Sequence, residues 1–225
     1  MTQTKQRLAG ARVDTNQPIN FTFDGRRYQG FAGDTLASAL LANGVRVVGR
    51  SFKLHRPRGV FGLGKEECNA LVQLEEGPFT EPNVRATLVP LYEGLIARGQ
   101  NAWPNVSVDL FSLLGLFKRA MPASFYYKTF MWPNWHTWEW LVRRVAGLGK
   151  APTERDPQRY LKQNIHAEMV VVGGGRSGLN AALEASQDPN LRVLLIDEQE
   201  ELGGSLLGSP DYDTRMKLEE LRQQI

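Results

Sequence analysis

The chain has 225 residues, 42% of them apolar and 23% charged, with a formal net charge of +3. This length admits one large or two small domains, and the composition is that of a globular protein. The charge is too small for binding driven by nucleic-acid phosphates, and the single cysteine, Cys68, excludes an internal disulfide and suits a reducing compartment. Residues 1–7 are polar and lead into no apolar run of a secretory leader. No stretch approaches the roughly 20 apolar residues of a membrane span. The expectation is a cytoplasmic protein with neither membrane nor nucleic acid as a partner.

In chain order, residues 1–16 are polar and predict a flexible arm. Ile19, Phe21 and Phe23 then alternate with polar residues, Asp24-Gly25 supplies a turn, and the chain returns from Arg26 to Phe31. Alternation on either side of Asp-Gly predicts a β-hairpin. Asp34 or Thr35 caps a helix through Leu36, Ala37, Ala39, Leu40 and Leu41, which Asn43-Gly44 stops. A glycine-rich basic loop follows, then a strand at residues 70–74 and another near residues 84–89.

Strand, strand, helix, long loop, strand is the order of a β-grasp ferredoxin. Plant-type [2Fe–2S] domains bind their cluster through C-x4-C-x2-C ahead of an apolar strand, with a fourth cysteine further on. Laid on this sequence, those positions fall on Gly62, Glu67, Ala70 and Thr87. None is cysteine, and Cys68 falls between them. One thiolate cannot replace four, so residues 17–100 are expected to form a ferredoxin-like β-grasp domain lacking its cluster. Lys53, His55, Arg56 and Arg58 make a basic patch in the same loop. With no aromatics interleaved for base stacking, it reads as a solvated loop or the seat of intersubunit salt bridges.

Residues 101–165 form an aromatic helical connector. Asp109 caps a helix through Leu110, Phe111, Leu113, Leu114, Leu116 and Phe117, and Pro122 ends it. Four of the five tryptophans, Trp132, Trp135, Trp138 and Trp140, lie within nine residues. They are expected to wedge the connector between the flanking domains or against chain beyond residue 225. Arg143 to Gly149 reads as a helix end with a glycine stop, and Asp156 caps a further short helix through Tyr160 and Leu161.

Residues 166–225 carry the most informative stretch. The apolar run Met169-Val170-Val171-Val172 meets Gly173-Gly174-Gly175-Arg176-Ser177-Gly178; a helix former follows, and a second apolar run, Val193-Leu194-Leu195-Ile196, stops at Asp197-Glu198. Gly173, Gly175 and Gly178 stand in G-x-G-x-x-G order, the dinucleotide fingerprint. The first glycine permits the tight turn, the second the approach of a pyrophosphate, and the third close packing of helix on strand. Phosphates then meet the free N–H groups and positive end of the helix. Asp197 is placed to accept hydrogen bonds from the adenosine ribose, and an acid there disfavours the 2′-phosphate of NADP. The fold class is therefore α+β followed by α/β: a β-grasp domain, then an incomplete Rossmann-type βαβ unit. A doubly wound domain needs further βα units, so the chain reads as an N-terminal piece of a longer protein. Its closing residues, 213–225, read as a helix without a stop signal. His55, His136 and His166 share no metal-ligand spacing, and no nucleophile–base set is legible, so neither a metal ligand nor a catalytic residue is assigned.

Beyond these motifs, the chain resembles the α subunits of heterotetrameric sarcosine oxidases from about residue 17 onward. The residues that carry the likeness are Arg56-Pro57-Arg58-Gly59-Val60-Phe61-Gly62, Glu81-Pro82-Asn83-Val84-Arg85-Ala86-Thr87, Phe125-Tyr126-Tyr127-Lys128-Thr129-Phe130 and Ala146-Gly147-Leu148-Gly149-Lys150-Ala151-Pro152. The glycine turn and Asp197-Glu198-Gln199 with Leu202-Gly203-Gly204 complete the set. The resemblance implies an enzyme complex that oxidatively demethylates sarcosine to glycine, with hydrogen peroxide and formaldehyde or, when tetrahydrofolate is present, methylenetetrahydrofolate. It implies NAD on this chain, with FAD, FMN and zinc elsewhere in the complex, and β, γ and δ subunits as partners. Gly173, Gly174, Gly175, Arg176, Ser177 and Gly178 would form the phosphate turn, Asp197, Glu198 and Gln199 would lie at the adenosine, and Ser205 would offer a hydroxyl. Arg176 departs from the proline or small residue common in that turn. Taken as a fragment, the chain is expected to be inactive. Two other readings stay open: an FAD-binding subunit of a related amine or opine dehydrogenase, and a non-catalytic docking module on a degenerate ferredoxin domain.

Overall fold

The computed structural model describes residues 7, 13–52, 54–113, 115, 130–145, 149–209 and 212–223. The chain divides into two compact units, Met1–Pro157 and Gln158–Ile225.

The first unit begins with the hairpin. Strands β1 (Asp14–Phe23) and β2 (Arg26–Ala32) pair antiparallel, with Phe23 opposite Arg26. The two residues between them, Asp24 (φ 48°) and Gly25 (φ 76°), both take the left-handed conformation of a type I′ turn. Alternation sends Phe21 and Phe23, each 2% exposed, into the core. β1 starts inside the segment expected to be a loose arm. Arg7, also in that segment, forms a two-pronged ion pair with buried Asp34, at 2.8 and 2.5 Å. Helix α1 (Leu36–Ala42) is closed at its start by a capping box: the Thr35 hydroxyl accepts the Ser38 N–H, and the Ser38 hydroxyl accepts the Thr35 N–H. Gly44, at φ 76°, lets the chain leave the helix.

Short strands β3 (Gly49–Arg50) and β4 (Pro57–Arg58) pair with each other inside the basic loop. Strands β5 (Leu71–Leu74), β6 (Glu81–Arg85) and β7 (Ile96–Gly99) complete a five-stranded sheet in the order β2-β1-β7-β5-β6. β7 is absent from the sequence reading, yet it is the middle strand, parallel to β1 and antiparallel to β5. Its four residues are too few for a readable alternation, and its place depends on pairing with distant segments. The core gathers Phe21, Phe23, Leu36, Leu40, Val48, Val72, Leu95, Ala97 and Val106 between helix and sheet. This is a β-grasp domain of the ferredoxin type.

Farther along, residues 110–113 make a short 3-10 turn, and the rest of the helix expected there lies outside the described residues. The same holds for Lys53, residues 123–129 of the aromatic run and the glycine stop at residues 146–148. Helix α2 (Trp135–Val145) follows the tryptophan-rich turn, where the Trp138 Nε1–H donates to the Trp132 carbonyl at 2.9 Å. Within this chain, Trp132, Trp135 and Trp140 are 81%, 47% and 64% exposed. Residues 155–167 are without regular structure, so the short helix expected after Asp156 does not form. Tyr160 and Leu161 are largely exposed there, and a single turn that buries so little apolar surface does not repay helix nucleation.

The second unit is built on strands β8 (Met169–Val172) and β9 (Val193–Ile196), parallel and in register from Met169 opposite Val193 to Val172 opposite Ile196. Helix α3 (Arg176–Ala185) crosses between them, burying Leu179 and Ala182. A 3-10 turn at Gly204–Gly208 and helix α4 (Tyr212–Gln223) follow. Leu218, 2% exposed, anchors α4, and the Arg222 Nε–H donates to the Leu202 carbonyl at 2.8 Å. The unit is a Rossmann-type βαβ arrangement.

Candidate functional site

The glycine turn joins β8 to α3. Gly173 has φ 102°, a conformation that side-chain-bearing residues rarely take, and its N–H donates to the Ile196 carbonyl at 2.7 Å. A side chain at Gly178 would overlap the Gly173 carbonyl oxygen, so the third glycine lets the helix lie on the turn. A side chain at Gly175 would meet no atom of the chain within 4 Å. Packing inside the chain thus accounts for Gly178 but not for Gly175. Gly175 is also the N-cap of α3 with no side-chain cap, which leaves the first helical N–H groups directed past it. A glycine open on its outer side at an uncapped helix start is the donor set that a pyrophosphate fits. Arg176 and Ser177 are exposed in the first turn of the helix.

Asp197 ends β9 facing this turn. One carboxylate oxygen accepts the Gly174 N–H, and the other accepts the Gln199 N–H at 2.8 Å. The acid therefore joins the second strand to the glycine turn. Glu198 is exposed beside it, and Gln199 is half-buried. Ser205 is exposed on the 3-10 turn after Gly203-Gly204. These two glycines have a part that the spacing did not disclose. The Gly203 N–H donates to the Gly174 carbonyl at 2.7 Å, a Cβ at Gly204 would stand 3.2 Å from the Gly175 Cα, and a Cβ at Gly203 would stand 2.8 Å from Leu218. Gly203-Gly204 is the floor on which the glycine turn rests. The signal was the glycine pair itself, which needs φ 133° and 54°.

In the first unit, the loop laid against the cluster spacing is closed by its own side chains. The Glu67 carboxylate, 1% exposed, accepts four backbone N–H groups: Phe61 at 2.6 Å and Gly62 at 2.7 Å on one oxygen, Asn69 at 2.6 Å and Ala70 at 2.9 Å on the other. Thr87 donates its hydroxyl to the Gly64 carbonyl at 2.9 Å. Cys68 is exposed. A Cβ at Gly62 would stand 2.9 Å from Glu66 Cγ and 3.1 Å from the Glu67 amide nitrogen. The four positions offer a hydrogen atom, a carboxylate, a methyl group and a hydroxyl. This donor set does not fit a [2Fe–2S] cluster, which takes four thiolates or, in Rieske centres, two thiolates and two imidazoles.

The basic patch does not remain one surface. His55 is buried, and its Nδ1 lies 2.8 Å from an Asp109 carboxylate oxygen. Asp109 also accepts the Trp103 and Phe111 N–H groups at 3.0 and 3.2 Å. Arg50 donates to the Val106 carbonyl at 2.6 and 2.9 Å and to the His55 carbonyl at 3.1 Å. The His55 Nε2 is buried with no hydrogen-bond partner among the described residues. No metal-binding group of three or more His, Cys, Asp or Glu side chains occurs among the described residues. No helix there is long and apolar enough to cross a membrane.

Comparison with known proteins agrees with this architecture. A family model described as a 2Fe-2S iron-sulfur cluster binding domain matches residues 16–102, and one described as an NAD(P)-binding Rossmann-like domain matches residues 171–217. Sarcosine oxidase subunit alpha of Rhizobium meliloti (strain 1021) is 54% identical over 198 residues, covering 87% of this chain and 20% of the relative. The subunit of the same name from Corynebacterium sp. (strain P-1) is 37% identical over 199 residues, 87% of this chain and 16% of the relative. That of Corynebacterium sp. (strain U-96) is 34% identical over 198 residues, 88% of this chain and 16% of the relative. The chain thus spans about a fifth or less of the length of these relatives. L-proline dehydrogenase from P. horikoshii shares the fold at a TM-score of 0.50 and 19% identity, over 96% of this chain and 32% of that one. Over the stretch it shares with them, the chain is similar to the sarcosine oxidase α subunits, and in it a 2Fe-2S-type domain precedes an NAD(P)-binding Rossmann-like domain.

Proposed function

We propose that the chain is the NAD-holding opening part of the α subunit of a flavin-dependent complex that oxidatively demethylates sarcosine. The products would be glycine, hydrogen peroxide and either formaldehyde or methylenetetrahydrofolate. The observation that carries the nucleotide reading is Gly175, a glycine that internal packing does not require, set at the uncapped start of α3. Gly173, Gly174, Gly175, Arg176, Ser177 and Gly178 form the turn around the pyrophosphate; the N–H groups of Gly173 and Gly174 are taken by Ile196 and Asp197, so the N–H groups at the start of α3 are the ones that face it. Asp197 receives the adenosine ribose, with Glu198 and Gln199 beside it, and Ser205 approaches from the floor of the turn. NAD supplies a hydride-accepting nicotinamide when bound, but no residue of this chain is assigned to the amine chemistry. FAD, FMN and zinc belong to other parts of the complex, and β, γ and δ subunits are its partners. The work is cytoplasmic, and the nucleotide has a structural or regulatory part.

The experiment is to denature the purified full-length protein and identify the released nucleotide by mass. NAD bound in proportion to this chain is the expected result. FAD in its place would move the chain to the amine or opine dehydrogenase reading. No nucleotide at all, after supplying NAD, would favour the reading of the chain as a non-catalytic docking module built on its degenerate ferredoxin domain.

A further inference from the structure

We propose that the Glu67 carboxylate is a built-in anion that does the structural work of an iron–sulfur cluster, so that the first unit is an iron-independent module and not an electron carrier. Backbone amides that converge in a tight loop make an anion-binding concavity, and iron–sulfur sites are among the anions such loops hold. Here the amides of Phe61, Gly62, Asn69 and Ala70 converge in the same way, and their anion is a side chain of the loop itself.

The spacing makes the substitution specific. Of the four positions that the plant-type pattern would give to cysteine, the first and third, Gly62 and Ala70, donate their N–H groups to the carboxylate of the second, Glu67. The fourth, Thr87, ties the loop at Gly64. All four positions therefore serve closure of the loop. Further bonds hold the same segment: the Glu67 N–H donates to the Gly64 carbonyl at 3.1 Å, the Ala86 N–H to the Ala70 carbonyl at 2.9 Å, and the Arg85 Nε–H to the Glu67 carbonyl at 3.0 Å. Glu66 accepts the Leu63 and Gly64 N–H groups at 2.9 and 3.1 Å. Six loop amides thus end on two carboxylates of the chain. A charged acceptor makes stronger bonds than a neutral one, and a buried amide without any acceptor is costly. The loop is complete without a metal, and this holds whichever nucleotide the second unit binds.

The test uses the full-length protein. Purified without oxygen, incubated with ferrous iron and sulfide and then desalted, it is expected to retain neither iron nor acid-labile sulfide in proportion to this chain. Hydrogen exchange of residues 61–70 is expected to be slow in the untreated protein and unchanged by a chelator. E67Q removes the charge and E67A the acceptor. Both are expected to speed exchange in residues 61–70 by roughly tenfold or more, with E67A the larger effect and the β1–β2 hairpin unchanged. Retention of two irons and two sulfides per chain would overturn the proposal, as would faster exchange of the loop on chelation, or E67A exchanging there at the unsubstituted rate. If both variants fail to fold, the iron, sulfide and chelator measurements on the unsubstituted protein still decide.

Discussion

Gly178 shows how little room single residues leave in this chain. A methyl group there would overlap the Gly173 carbonyl oxygen, which sits in the glycine turn itself. Relief requires lifting α3 from the turn, so G178A in the full-length protein is expected to weaken nucleotide binding by about tenfold or more and to destabilise the second unit by about 1–3 kcal/mol. Titration calorimetry with NAD reads the first effect and denaturant unfolding the second; binding at the original affinity would refute the assignment of the turn. Gly175 is the contrasting case, since the chain leaves space around it and packing within the described residues does not require its lack of a side chain. Both glycines were legible from spacing, because a strand-to-helix turn has few backbone solutions. Asp197 was legible as an acid at a strand end. Its bonds to the Gly174 and Gln199 amides were not, because they depend on how the turn folds back on β9. His55 was misread as part of a surface patch. Nothing local announces that a histidine in a basic run will be buried against an aspartate 54 positions away.

Elements followed local chemistry where they were long enough to have a period. The β1–β2 hairpin came from alternation and Asp-Gly, and α1 from its cap and its run of Leu and Ala. The loop between β4 and β5 has no period, and its order rests on charge. Burial of the Glu67 carboxyl pushes it up, but the amides of Gly62, Ala70, Asn69 and Phe61 outweigh this and hold it below the usual carboxylate range. Its charged neighbours are Glu66, itself held low by backbone amides, and Arg85, whose guanidinium bonds the Glu67 carbonyl. A carboxyl held lower in the folded state than in the unfolded one stabilises fully above its unfolded value of about 4.3 and ceases to do so as pH falls through its folded value. The thermal midpoint of the unsubstituted protein should therefore exceed that of E67Q at neutral pH, with the gap shrinking as pH is lowered below the unfolded value of about 4.3 and on through the lower folded one. Scanning calorimetry across that range checks it, and a gap that stays constant would show that the charge is not what holds the loop. The helix expected after Asp156 failed for the complementary reason: it had a cap residue, but its apolar side chains, Tyr160 and Leu161, stay largely exposed.

At the scale of the molecule, the apolar strands of the second unit are not enclosed. Val170 and Val172 are 52% and 82% exposed, although both stand in a run whose pattern reads as buried parallel strand. Residues 1–225 alone are therefore expected to bind NAD weakly or not at all by calorimetry, and to bind a hydrophobic dye that the full-length protein does not. Tight NAD binding by this piece would show that its cradle is already whole. Composition, strand and helix periods, turn chemistry and missing thiols were determined by the sequence alone. They act over a few residues, and a backbone has few ways to satisfy each of them. Only the tertiary structure decided that β7 lies at the centre of its sheet, that His55 meets Asp109, that Gly203-Gly204 floors the glycine turn, and that the amides of the cluster-type loop converge on Glu67. Each of these contacts joins segments whose meeting depends on chain closure around a shared core, and no local pattern encodes that meeting.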